Sequence, residues 1–138
     1  MSKLTRFSVS IESDLLDRFL QMSGKRGWEN RSEALRQLMR EALVRDEWAG
    51  SDDIVGTITI VYDHHKRELA DRLTSIQHDH HAAILAATHI HLDHDNCLEM
   101  IAVKGKASEV QRIADALIGT RGVKHGKLTA TTTGKKLA

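Results

Sequence analysis

The chain has 138 residues, with 20 Lys and Arg against 19 Asp and Glu for a net charge of +1, 41% hydrophobic and 28% charged residues, nine His, one Cys and no Pro. That is a globular composition of one ordinary domain or two very small ones; near-neutrality excludes a broadly basic nucleic-acid coat and leaves room for a small, specific DNA-reading surface. No run approaches the length of a membrane span, residues 1–10 lack the apolar stretch of a secretory signal, and a single Cys suits a reducing compartment, so a cytoplasmic protein without membrane partners is expected.

Residues 5–11 alternate, with Phe7, Val9 and Ile11 on one face of a predicted strand and Arg6, Ser8 and Ser10 on the other. Ser13 then reads as an N-cap, with Asp14 in the first turn, and Leu15, Leu16, Phe19 and Leu20 form the apolar stripe of a helix that Gly24 or Gly27 ends. Asn30, Arg31, Ser32 and Glu33 read as a capping-box variant opening a second helix, whose face is Ala34, Leu35, Leu38, Met39, Ala42 and Leu43. One strand makes no sheet, and a unit of this size is marginal by itself. The economical solution is an obligate dimer that pairs the two strands and intertwines four helices.

Residues 49–53, after Trp48, read as a linker between domains at 1–48 and 54–138. Beyond it come a β-branched strand at 54–62, a helix at 66–77, strands at 84–92 and 98–103 around a polar turn, a helix at 107–120 and a strand at 123–132. The order is β-α-β-β-α-β, a ferredoxin-like split βαβ, so the chain as a whole is α+β.

The histidines are concentrated: six of the nine lie between His78 and Cys97. His89 and His91 stand two apart in a predicted strand and share a face, and a hairpin brings Cys97 beside them. A fourth ligand has an obvious source in His78, His80 and His81 at the preceding helix end. Glu99, on the face of Cys97, can accept a ligand's second N–H and fix its tautomer. Such a set suits Zn(II) as a tetrahedron, or Ni(II) or Cu(II) as a square plane, and spacing does not choose among them. His64 and His65 read as exposed helix-start residues and His94 as a solvent-facing turn residue. A catalytic thiolate at Cys97 has no accompanying oxyanion hole or substrate pocket, so neither an enzyme nor a small-molecule substrate is expected.

In the paired-strand dimer, Arg6, Ser8 and Ser10 of both chains make a two-stranded ribbon of the kind the major groove admits. Asn30, Arg31 and Ser32, at a helix N-terminus, can hold a phosphate.

Both halves resemble the nickel-responsive ribbon-helix-helix repressors of the NikR family. The resemblance rests on Arg6-x-Ser8-x-Ser10 with Asn30-Arg-Ser-Glu-Ala34, on Gln77-His78, on His89-x-His91-x5-Cys97-x-Glu99, and on the segment 121–126. It implies an ACT-like metal domain forming the core of a homotetramer, a dimer of dimers, with one Ni(II) per subunit. His89, His91 and Cys97 of one subunit and His78 of its neighbour would be the ligands. It implies further a two-half-site operator of nickel-uptake genes, base readout by Arg6, Ser8 and Ser10, and DNA backbone contacts from Lys66 and Arg67. An interdomain cation site would use Glu33, where Gln37 replaces a second carboxylate. The alternatives are the same architecture sensing Zn, Cu or Co, and an ACT-type regulator of a small organic ligand.

Overall fold

The computed structural model describes residues 3–50 and 52–137. Two helices, α1 (Ser13–Lys25) and α2 (Arg31–Ala49), precede β1 (Asp53–Asp63), α3 (Arg67–Asp79), β2 (Ile84–His91), β3 (Asn96–Lys106), α4 (Ala107–Ile118) and β4 (Val123–Thr131). The chain divides into two compact units, one up to Leu43 and the other Val44–Lys135.

In the first unit, residues 3–12 form no strand within the chain. The alternating pattern is present, but a strand needs a partner for its N–H and C=O groups and one chain offers none. Phe7, Val9 and Ile11 are accordingly exposed, at 64%, 62% and 43%. The face expected to be buried on α2 is equally open: Leu38, Met39 and Leu43 are exposed, and Ala34 is the buried residue of that helix. Ser13 does not cap α1; it is the first helical residue, and Glu12 occupies the N-cap without a side-chain hydrogen bond. Asn30 does cap α2, its Oδ1 accepting the Glu33 N–H at 2.8 Å.

In the second unit, an antiparallel sheet runs in the order β2-β3-β1-β4. The alternation along β1 and β3 puts Ile54, Ile58, Ile60 and Tyr62, with Cys97, Ile101 and Val103, on the face that packs with Leu69 and Leu73 of α3 and Val110, Ile113, Ala114 and Leu117 of α4. Gly126 of β4 lets α4 approach: a Cβ there would lie 2.6 Å from Ile118 Cγ1 and 3.0 Å from Ile60 Cγ2. Gly122, with φ 104°, makes the α4–β4 turn.

The expected linker narrows, since Ala49 ends α2 and Asp53 begins β1; Ser51 lies outside the described residues. Trp48, still helical, packs on the second unit's core, its indole N–H donating to the Thr131 carbonyl at 2.7 Å.

Candidate metal centre and nucleic-acid interface

Strand register builds the end of the sheet that carries the candidate ligands. β2 pairs with β3 so that His89 stands opposite Glu99 and His91 opposite Cys97, and β1 pairs with β3 so that Tyr62 stands opposite Cys97. Residues directly opposite in an antiparallel pair project to the same side. Cys97 and Glu99 are buried while His89 and His91, on the edge strand, are exposed. The Cys97 thiol approaches the Leu98 carbonyl at 3.7 Å.

Glu99 is a buried carboxylate with a hydrogen-bond donor on each oxygen. Its Oε1 accepts the Tyr62 hydroxyl at 2.9 Å and lies 3.6 Å from His89 Nδ1; its Oε2 accepts the Gln77 amide at 2.8 Å. Burial first, and then the carboxylate beside it, push the Tyr62 phenol well above its ordinary value. With its proton committed to Glu99, the Tyr62 oxygen faces His89 Nδ1 at 3.4 Å as a second acceptor. A proton on Nδ1 would face both oxygens and leave Nε2 unprotonated. The sequence reading found Glu99 and missed Tyr62 and Gln77. Tyr62 shares its strand face with Ile58 and Ile60, a signal available in the alternation of β1.

His78 lies exposed in the last turn of α3, one residue past Gln77, and His81 Nδ1 meets the His78 carbonyl at 3.2 Å. The ligand atoms of His89, His91 and Cys97 share a side of the sheet without forming a tight cluster. Among the described residues, the group whose donor atoms lie within 4.8 Å of one another is His65, His94 and Asp95. The donor set at the other place, two imidazoles and one thiolate with a carboxylate behind them, is a borderline-to-soft set that fits a late divalent transition metal.

Of the DNA-facing candidates, Arg6 lies with Phe7, Val9, Arg31, Ser32 and Arg36 around an open groove of about 520 Å³ in the first unit, and Ser8 and Ser10 are exposed beside it. The Glu33 carboxylate is engaged within α2. It accepts from Arg36 at 2.9 Å and Gln37 at 3.1 Å and pairs with Arg40 at 3.7 Å. The Arg36 bond, then that from Gln37, hold its carboxyl below the ordinary value. Gln37, which replaces the second carboxylate of the resemblance, donates its amide N–H to Glu33. In the second unit, Lys66 and Arg67 line an open depression of about 530 Å³ together with Arg72 and Arg121. Arg72 escaped sequence reading and Arg121 entered it only within the segment 121–126, because they reach this surface from the second turn of α3 and from the α4–β4 turn.

Residues 55–131 match the NikR C terminal nickel binding domain, and residues 5–46 match the ribbon-helix-helix protein, copG family. The chain belongs to the NikR family of nickel-responsive regulators. Proteins of Solibacter usitatus and Geobacter sulfurreducens are each 54% identical to it over 99% of both chains, and one of Nitratidesulfovibrio vulgaris is 52% identical over the same span. Each is provisionally named a nickel-responsive regulator. The family is one of transcriptional regulators rather than enzymes, joining a ribbon-helix-helix unit to an α+β domain.

Proposed function

We propose that this NikR-family chain is a nickel-dependent repressor of nickel-uptake genes, working in the cytoplasm as a homotetramer on a two-half-site operator. The supporting observation is the β2–β3 register: His89 and His91 stand opposite Glu99 and Cys97, and Gln77, next to His78, is bonded to Glu99. His89 through Nε2, His91 and Cys97 would bind one Ni(II) per subunit, with His78 supplied by a neighbouring copy. Nickel, when bound, would join two subunits through these nitrogen and sulfur donors. Everything else is done by the chain. Glu99 orients His89 and, through Gln77, the end of α3 that carries His78, so one buried carboxylate would support both the ligand this chain keeps and the ligand it lends to a neighbour's site.

The exposed Phe7, Val9 and Ile11 support the other half of the reading. A second copy would pair residues 5–11 and cover these side chains, turning Arg6, Ser8 and Ser10 outward for base edges. Asn30, Arg31 and Ser32 would grip phosphates, as would Lys66 and Arg67 in their basic depression. Because a site shared between subunits links metal binding to assembly, DNA binding and nickel affinity strengthen each other.

The test is a gel-shift series on the nickel-transport promoter with Ni, Zn, Cu and Co in turn. Nickel should produce the specific complex and Cys97→Ala should abolish it. Tetrahedral zinc at native stoichiometry, with nickel inactive, would overturn the reading in favour of another metal. Metal-independent binding by Cys97→Ala would favour a small organic effector.

A further inference from the structure

The helix that opens on the Asn30 cap closes on a seat made by the last strand. α2 begins in the first unit and ends in the second, which starts at Val44. Its 19 residues include neither Gly nor Pro, the usual causes of a kink. A helix so composed bends little over its length of about 28 Å, so whatever holds its last turn also sets the direction of its first.

The last turn is held at the end of β4. The Trp48 indole N–H donates to the carbonyl of Thr131, which stands opposite Val55 where the pairing of β4 with β1 ends. Among the described residues, Trp48 is the α2 side chain packed on the core of the second unit. Its ring rests against bare backbone at Gly56 of β1, with Cη2 3.4 Å from the place a Cβ there would take. Beside it, Glu47 accepts the Thr132 hydroxyl at 2.6 Å, and the Thr132 oxygen in turn accepts the Gly134 N–H at 3.1 Å, which directs the hydroxyl proton to Glu47. Trp48 and Glu47 lie 83 and 85 residues from their partners, so these bonds are no part of ordinary helix termination. Neither the nickel ligands nor the DNA contacts proposed above use them.

We propose that Trp48 and Glu47 are positioning residues for metal-dependent DNA binding. By seating the last turn of α2 on the end of β4, they pass the arrangement that the metal imposes on the sheet to Asn30, Arg31 and Ser32 at the start of the same helix. They act without touching metal or DNA. A loosened seat leaves both binding chemistries intact and unlinks them, because two sites are coupled only where both bias one shared element.

The inference rests on the nickel-dependent DNA binding proposed above, so the full-length parent is first assayed by gel shift on the nickel-transport promoter with Ni, Zn, Cu and Co. Activation by another metal overturns the nickel reading, and the variants are then read with that metal; activation by none overturns both. The quantity read is the gain, the ratio of operator affinities with and without the activating metal. Trp48→Ala should cut the gain by about tenfold or more, and Trp48→Phe, which keeps a ring on Gly56 but no donor, by less. Thr132→Val, which removes the hydroxyl bonded to Glu47, should cut it by about two- to fivefold. In all three, metal affinity by equilibrium dialysis without DNA should stay within about twofold of the parent's, whereas a merely structural role would move it along with the gain. If Trp48→Ala does not fold, Trp48→Phe and Thr132→Val decide. The proposal is overturned if the folded variants keep the parent's gain, or if their metal affinity falls in step with it.

Discussion

The two halves of this molecule handle their apolar residues in opposite ways. The sheet of the second unit closes over Ile58, Ile60, Ile101, Ile113 and Leu117, all fully buried. The first unit buries Ala34 and Ser23 among its described residues and leaves Phe7, Val9, Leu15, Met39 and Leu43 exposed. The difference separates two kinds of folding information. In the second unit, side-chain alternation and strand pairing are satisfied within one chain; in the first, the same alternation is written for a partner.

The largest expected effect comes from making that exposed face polar. Phe7→Asp should abolish specific DNA binding, since covering a carboxylate with a second copy costs several kcal/mol, while nickel stoichiometry by equilibrium dialysis stays unchanged. DNA binding that persists would remove the comparison's premise. Truncating the closed core is the converse: Ile58→Ala should cost about 2–5 kcal/mol in the denaturant unfolding of the second unit.

A smaller effect is expected at the carboxylate that joins core to site. Glu99→Gln should weaken nickel binding by about 10–100-fold with little change in far-ultraviolet circular dichroism, because an uncharged amide offers one acceptor oxygen where Gln77 on one side and Tyr62 with His89 on the other face two. Removing the α2 cap with Asn30→Ala should cost about 1 kcal/mol, read by thermal melting of the N-terminal unit.

The smallest effect is a pH effect. Hydrogen bonds from the Asn96 side chain, then the Asn96 and Asp95 backbones, hold the Asp93 carboxyl below its ordinary 3.8. A depressed value means the folded chain prefers the ionised form, so this stabilisation is complete above the ordinary value and is lost as pH falls through and below it. Asp93→Asn should therefore flatten the acid limb of the stability profile below about pH 4, measured by urea titration.

Much of the second unit was legible in sequence because its signals are local. The βαββαβ order follows from periods of 2 and 3.6, and the shared face of His89 and His91 follows from their spacing. The strand at 5–11 was legible too, yet the single chain does not form it, since its hydrogen bonds need another molecule. Other features escaped because they depend on register. Nothing near His65 in sequence announces His94, 29 residues away; they meet because Asp63 pairs with Asn96. Tyr62 reaches Glu99 across 37 residues by the same geometry. The end of α2 was obscure for a different reason: Trp48 gains its place from the Thr131 carbonyl, contributed by the last strand.

Gly126 shows how little latitude a close helix–sheet seat leaves to inheritance. Every other amino acid brings a Cβ, and that atom would collide with Ile118 and press on Ile60, both committed to packing. In a saturation library selected for nickel-responsive regulation, position 126 should therefore survive almost solely as glycine, while exposed neighbours such as Lys124 tolerate broad replacement. A missing atom, in this fold, is as heritable a requirement as a ligand.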